Sequence, residues 1–209
     1  MQKFSITKLE EARRNPTAFA KSLLLKSAGN PRFSKLTAWK NSIYYFHSVH
    51  DLEQAIDYIK NTFKKNFKDT RSNRNSLEEY INYLEDYVDA FQKMKMVHFK
   101  TKERISLNIN PELKITGEIP IICLNEQLGY DIYFLSQANY DYKSELKFPI
   151  IQQYFSEFFD CDISEIKVGI YSIQGNIFLL NSFSMPLIKD SLSELNNICE
   201  EILKNLFTA

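Results

Sequence analysis

Residues 114–124, KITGEIPIICL, begin the stretch that decides the fold. A turn at residues 125–129 and a second apolar run, YDIYFLS, at 130–136 follow them. Residues 145–159, ELKFPIIQQYFSEFF, then have the length of a helix, and residues 167–173, KVGIYSI, return to a short apolar run. Apolar runs of this length, bounded by Gly, Asn and Pro, indicate strands of a sheet that is covered by a helix. The stretch therefore predicts the order strand, turn, strand, helix, strand.

The chain ahead of this stretch has mostly helical patterns. Asn15 and Pro16 are suited to start a helix, which we expect to end at Gly29. Residues 76–91 follow the capping-box pattern Ser-x-x-Glu and predict a long amphipathic helix. Between them, residues 51–67 carry an apolar stripe at helical spacing that consists of Leu52, Ala55, Ile56, Ile59, Phe63 and Phe67.

The remaining segments add strands and a last helix. From residue 96 to residue 110 the apolar period shortens toward two, which favours a strand. Residues 176–183 are predicted as a further strand, paired with residues 167–173 through a turn. An amphipathic helix closes the chain from residue 189.

These patterns predict the fold class and the domain organisation. We predict a single α/β (α+β) domain over residues 1–209, with a central mixed β-sheet flanked by helices. An N-terminal helical region covers residues 5–95, and the sheet core covers residues 96–209. The apolar side chains of the central helix cannot all share one stripe. We therefore expect it to be buried between the sheet and the N-terminal helices, with Tyr154 and Phe158 among its buried residues.

The charge balance and the cysteines limit the classes of function. The 26 Lys and Arg residues equal the 26 Asp and Glu residues, which disfavours a sequence-wide nucleic-acid or membrane binder. Cys123, Cys161 and Cys199 have no CxxC spacing, which argues against a disulfide framework and against a zinc site. Residues 1–16 have no apolar signal region and no run approaches membrane-span length, so we expect a cytoplasmic protein without a membrane partner.

One local cluster of positive charge stands out against the neutral total. A run of charges is usually a solvated face, but lysines interleaved with Phe63 and Phe67 also suit contacts with a nucleic-acid backbone. We expect residues 68–75 to form an exposed loop beside it. The candidate nucleic-acid-binding residues are Lys60, Lys64, Lys65, Lys68, Arg71 and Arg74. The same two interpretations hold for a second cluster of Lys93, Lys95, Lys100, Lys102 and Arg104.

Several short motifs occur in a definite order. Residues 5–9, SITKL, and 15–19, NPTAF, precede a helix that carries His47, and residues 117–120, GEIP, precede IIQQYF at 150–155. This order resembles the RecB/Cas4-like branch of the PD-(D/E)XK nuclease superfamily. Members of that branch have Ser-x-Ser-x-Leu, Cys-Pro-x-x-Phe, a His-bearing helix, Gly-x-x-Asp, (Asp/Glu)-x-Lys and a Gln-containing helix.

The resemblance implies two carboxylates and a lysine that meet at a divalent metal, which neutralises charge at the phosphorus and helps to generate hydroxide. This sequence departs from the family pattern there. Pro120 takes the place of the family Asp, and no lysine lies near residues 135–136, where the family Lys is expected. We therefore expect a degenerate catalytic centre and no cofactor. His47 and His50 are expected in the core or on a helix surface, not as metal ligands.

Other residues of the chain could replace the missing Asp and Lys of the family pattern. Glu118 could act as a displaced carboxylate, and Glu145 with Lys147 matches Glu-x-Lys, although at the start of a helix. If the centre is active, Glu118, Glu145 and Lys147 would be catalytic. Glu118, Asp131 and Glu145 would then bind Mg²⁺ or Mn²⁺.

The sequence thus leads to three hypotheses. The first is a catalytically degenerate PD-(D/E)XK-like protein that binds DNA or a protein partner within a DNA-processing or phage-defence complex. The second is an active metal-dependent DNA nuclease. The third is a pure protein-interaction or scaffold subunit, because a fold does not by itself determine function.

Overall fold

The computed structural model describes residues 2–25, 33–138 and 140–207. Its helices are α1 (Leu9–Arg14), α2 (Pro16–Leu24), α3 (Lys35–Val49), α4 (Leu52–Asn66), α5 (Arg71–Lys93), α6 (Lys147–Phe159) and α7 (Met185–Phe207). Its strands are β1 (Gln2–Ser5), β2 (Val97–Asn110), β3 (Leu113–Leu124), β4 (Tyr130–Ser136), β5 (Ile166–Ser172) and β6 (Ile177–Asn181). Within these ranges no helix is long and apolar enough to cross a membrane.

The strands form one mixed sheet, which confirms the predicted fold class. β3 pairs antiparallel with β2 and with β4, and β5 pairs antiparallel with β6. β4 and β5 are parallel, because α6 crosses over between them and returns the chain to the same end of the sheet. β1, which the sequence did not predict, pairs parallel with the start of β3.

Helices cover both faces of the sheet. On one face, α1, α2, α6 and α7 enclose a core that includes Phe19 and Phe155. On the other face, α3, α4 and α5 pack over a second core that includes the fully buried Trp39 and Tyr87. Strands that are buried on both faces need apolar residues at successive positions, which explains the continuous apolar runs of β3, β4 and β5.

One edge of β3 is shared between two partners. Residues 113–116 pair with β1 and residues 121–124 pair with β4. Residues 117–120 have no strand partner on that edge, and we call this place the sheet gap. The chain leaving β1 passes so close to it that a Cβ on Gly117 would lie 2.5 Å from Ile6 Cγ2. Gly117 therefore leaves the space that the buried side chain of Ile6 occupies.

The pairing of β3 with β2 is interrupted at the same level. The register leaves out Lys102 and Pro120 between two regular pairs. Pro120 has no N–H to donate, and Lys102 has a left-handed φ of 56°. Ile119 packs into the first core and Ile121 into the second, although residues two apart in a regular strand share a face. The strand therefore exchanges its two faces at Pro120.

The start of α5 differs from the prediction. The helix begins at Arg71 and not after Ser76, because Thr70 caps it by accepting a hydrogen bond from the Asn73 N–H at 3.3 Å. Residues 71–75, expected as loop, contain no Gly or Pro that would end a helix. The predicted end of α2 at Gly29 lies outside the described residues.

The burial of α6 also differs from the prediction. The helix lies between the sheet and α7, because α3, α4 and α5 cover the opposite face. Phe155 is 0% exposed, whereas Phe158 is 51% exposed and Tyr154 is half-buried. The aromatic residues of α6 that do not fit on its buried stripe therefore lie at the surface of the protein.

The two phenylalanines give a matched test of this packing. Phe155→Ala is expected to lower the free energy of unfolding by about 3–5 kcal/mol, because it leaves a cavity in a closed core. Phe158→Ala is expected to change it by less than about 1 kcal/mol, as is usual for surface substitutions. Urea denaturation followed by circular dichroism measures both. Equal losses in the two variants would contradict the observed orientation of α6.

Candidate functional site

Three elements converge at the sheet gap. Lys40 on α3 is half-buried, and burial lowers its pKa. The nearby ammonium of Lys147 adds to this effect, and the carboxylate of Glu118 opposes it. Glu118 on β3 and Lys147 at the start of α6 therefore act electrostatically on the same side chain.

The predicted pair at the start of α6 is an ion pair. Lys147 Nζ lies 2.5 Å from Glu145 Oε2, and the two side chains are only 13% and 22% exposed. The ammonium also lies over the rings of Phe148 and Phe134, at 4.8 Å and 5.3 Å from their centroids. Lys147 is thus held by one carboxylate and two aromatic faces.

The structure separates Asp131 from this group. Asp131 is buried on β4 opposite Cys123, and its Oδ1 accepts a hydrogen bond from Asn125 Nδ2 at 3.0 Å. Burial raises its pKa, and the Asn125 bond and the charge of Lys167 oppose that shift. The contacts of Asp131 are therefore with the β3–β4 turn and β5, not with Glu145.

These residues do not fit a divalent metal centre. Magnesium requires several oxygen ligands that are free to bind it, but Glu145 is already neutralised by Lys147. Among the described residues no group of three or more His, Cys, Asp or Glu is placed to hold a metal ion. Glu118 interacts instead with the ammonium group of Lys40.

Lys102, a member of the second basic cluster, and Tyr44 complete this neighbourhood. The Nζ of Lys102 lies 4.6 Å from the ring centroid of Tyr44 and donates a hydrogen bond to Asn41 Oδ1 at 3.2 Å. Burial raises the pKa of Tyr44, and Glu118 raises it further. Lys40 was not among the residues predicted from the sequence. It is the one charged residue in the apolar segment TAWKNSIYYF, and this pattern is too common to indicate a functional site.

All three histidines of the chain lie together at the carboxyl end of α3. The rings of His47 and His98 stack at 4.3 Å, and His50 meets His98 edge-on at 6.5 Å. His47 is 2% exposed and its Nε2 shares a 2.6 Å hydrogen bond with the hydroxyl of Tyr87. As expected, His47 is a core residue.

The basic cluster forms a groove between α4 and α5. Phe63, Phe67 and Leu77 line its apolar floor, and the cleft encloses about 320 Å³. Four of the six predicted binding residues surround this floor, namely Lys60, Lys64, Lys68 and Arg74. We call this surface the basic groove.

The basic groove keeps most of its positive charge. Lys60 pairs with Asp57 at 3.6 Å and Arg74 pairs with Asp69 at 2.7 Å, but both pairs are largely exposed and therefore weak. Among the described residues, Lys64 and Lys68 have no acidic partner. These two ammonium groups are available to an anionic ligand.

The other two predicted residues lie outside the basic groove. Lys65 points to the opposite flank of α4, where it lines a separate cleft toward α3. Arg71 is exposed at the first position of α5 and does not line the groove. The sequence run therefore mixes residues of two surfaces, because successive helical positions are separated by about 100°.

Comparisons with known proteins give no functional assignment. No protein-family model matches the chain, and no curated protein matches it. The crystal structure of SSO0001 is similar at 10% sequence identity and a TM-score of 0.34, over 95% of this chain and 86% of that one. A similarity at this level does not establish a common fold or function.

The buried histidine predicts a pH-dependent stability. Burial, with the neighbouring His98 and His50, lowers the pKa of His47 to about 3. An unfolded chain keeps about 6.5, so below that pH the unfolded state binds a proton that the folded state excludes. The free energy of unfolding should therefore fall between pH 6.5 and 3, by up to about 1.4 kcal/mol per pH unit from His47.

Unfolding titrations of two variants isolate this contribution. His47→Gln keeps a polar partner for Tyr87 and should show a shallower loss of stability on acidification than the wild type. His50→Gln changes an exposed residue whose charge is the smallest of the three causes that lower the pKa of His47, and it should nearly retain the wild-type slope. An unchanged slope in His47→Gln would show that this ring is not the group that titrates.

Proposed function

We propose that this protein binds nucleic acid through the basic groove, and that it is a PD-(D/E)XK-like protein whose catalytic centre is degenerate. A DNA-processing or phage-defence complex in the cytoplasm is the setting that the resemblance implies. The observation that carries the binding proposal is the groove itself. Four cationic side chains surround an aromatic floor on a chain whose net charge is zero.

The chemistry of the groove suits a phosphate backbone. In the described part of the chain the ammonium groups of Lys64 and Lys68 have no acidic partner, and they would replace the counterions of phosphates. Phe67, whose ring centroid lies 4.9 Å from that of the core residue Phe63, is half-buried and offers apolar surface to the sugars between those phosphates. A solvated charged helix face needs no such aromatic floor.

The arrangement at the sheet gap supports the degenerate centre. β3, β4, α6 and β5 follow one another in the order that the resemblance requires. Pro120, in the position of the family Asp, offers no ligand oxygen from its side chain, and Lys147 neutralises Glu145. These are reasons to favour binding over cleavage as the activity.

Salt dependence tests the proposed binding. The affinity for a fluorescein-labelled oligothymidylate should fall linearly with salt on a log–log scale, with a slope of about 0.7 for each phosphate that the protein contacts. The double variant Lys64→Glu/Lys68→Glu should bind more weakly, and its slope should be smaller by about 1.4, the value for two phosphates. Fluorescence anisotropy at several salt concentrations measures both quantities.

A matched control uses two exposed lysines on helices that cover the opposite face of the sheet. Lys21→Glu/Lys189→Glu makes the same change in net charge on α2 and α7, and it should retain the wild-type affinity. If both double variants lose affinity equally, the effect of Lys64 and Lys68 is one of net charge and not of the basic groove. Absence of salt-sensitive binding by the wild type would favour the protein-interaction hypothesis.

A cleavage assay tests the degenerate centre. Because no suitable ligand set surrounds Glu118, the protein should not cut single- or double-stranded DNA in Mg²⁺ or Mn²⁺. Gel analysis of labelled substrates after long incubation is the measurement. Cleavage that requires the metal and is lost in Glu145→Ala or Lys147→Ala would restore the nuclease hypothesis.

A further inference from the structure

A second cleft lies between α3 and α4, away from every residue assigned by sequence except Lys65. It encloses about 600 Å³, within the usual range of about 300–1,000 Å³ for small-molecule sites. Tyr45 from α3 and Tyr58 from α4 lie in it as a stacked pair, with ring centroids 4.7 Å apart and planes 13° apart. Both rings are half-buried, so they present an aromatic surface that is held in place.

The polar lining of this cleft is mostly uncharged. Asn41 and Asn61 contribute side-chain amides, each of which has donor and acceptor atoms. The side-chain amide of Asn61 makes no hydrogen bond to any other residue that the structure describes. An aromatic shelf with amides at its side is complementary to a planar ring whose edge carries both donors and acceptors.

Helix α4 separates this cleft from the basic groove. With 3.6 residues per turn, Tyr58, Asn61 and Lys65 fall on one flank of the helix, whereas Lys60 and Lys64 fall on the other. The buried stripe of α4 lies between the two flanks. Both surfaces are therefore built on a single rigid element.

The two clefts meet at the carboxyl end of α4. Phe33 lines the cleft that contains the stacked tyrosines, and its ring lies 6.2 Å from that of Phe67, which lines the basic groove. Lys65 and Lys64 occupy the last turn of α4 on the two sides of this junction. A chain of nucleotides that leaves the basic groove over Phe67 would reach the second cleft directly.

We propose that the cleft between α3 and α4 binds an unpaired nucleobase of a single-stranded nucleic acid whose phosphates lie in the basic groove. The inference rests on the proposed nucleic-acid binding and specifies its substrate as single-stranded. The base stacks on an outer face of the Tyr45–Tyr58 pair, and its edge bonds to the amide of Asn61. Lys65 contacts the phosphate that joins this nucleotide to the next.

The test compares two labelled oligomers of equal length and charge, oligothymidylate and a fully abasic tetrahydrofuran analogue. Their phosphates are alike, so a difference in affinity reports on the bases alone. Wild-type protein should bind oligothymidylate about tenfold or more tightly than the abasic oligomer, as expected for base stacking on aromatic residues. Anisotropy titrations at one fixed salt concentration give both affinities.

Two variants localise that difference. Tyr58→Ala should lower the affinity for oligothymidylate toward that for the abasic oligomer and leave binding of the abasic oligomer unchanged. Asn61→Ala alters an exposed side chain without a structural bond, and should show a smaller loss of the same kind. The salt slope should stay at the wild-type value in both variants, because no groove lysine is changed.

The outcomes separate this inference from the proposed function. Equal, salt-sensitive binding of both oligomers, unaffected by Tyr58→Ala and Asn61→Ala, would overturn the base site and leave the basic groove intact. Preference for oligothymidylate that persists in both variants would place the base elsewhere and also overturn it. Failure of both oligomers to bind would overturn the proposed function together with the inference.

Discussion

The pairing of β3 is the constraint on which the rest of the structure depends. This strand is bonded to β2 along its length, and on its other edge it must divide its residues between β1 and β4. The sheet gap at residues 117–120 follows from that division, because no strand can pair with β3 between its two partners. Pro120 is tolerated in a central strand because the gap needs no N–H on one side and Lys102, with its left-handed φ, forms no strand pair with it on the other.

The sheet gap also determines which charges meet. β3 contributes Glu118, the start of α6 contributes Glu145 and Lys147, and α3 contributes Lys40 across the face of the sheet. Each carboxylate is thus near an ammonium group. The pKa of Lys40 is lowered because the side chain is partly buried, and burial disfavours the charged ammonium form. Lys147 balances the charge of Glu145, and Lys40 lies near Glu118.

The surfaces that we propose for nucleic-acid binding lie elsewhere, on the helices that cover the second core. α4 is anchored there by Ala55, Ile59 and Phe63, so its two flanks are fixed relative to α3 and α5. A helix held along one stripe can present different chemistry on each side. Here one flank carries ammonium groups over phenylalanine rings, and the other carries amides and tyrosine rings. A chain of zero net charge thus carries a local patch of positive charge without a general attraction for polyanions.

The sequence by itself determined the mixed sheet, the amphipathic helices and the positive charge of α4, because periodicity and charge are properties of neighbouring residues. It did not determine the short strand β1, whose four residues carry no periodic signal, or the early start of α5 at Arg71. The separation of Asp131 from Glu145, the assignment of Lys65 to a second cleft and the exposure of Phe158 were decided by the tertiary structure. Each depends on which distant elements pack together, and that is set by strand pairing and layer order across the whole chain.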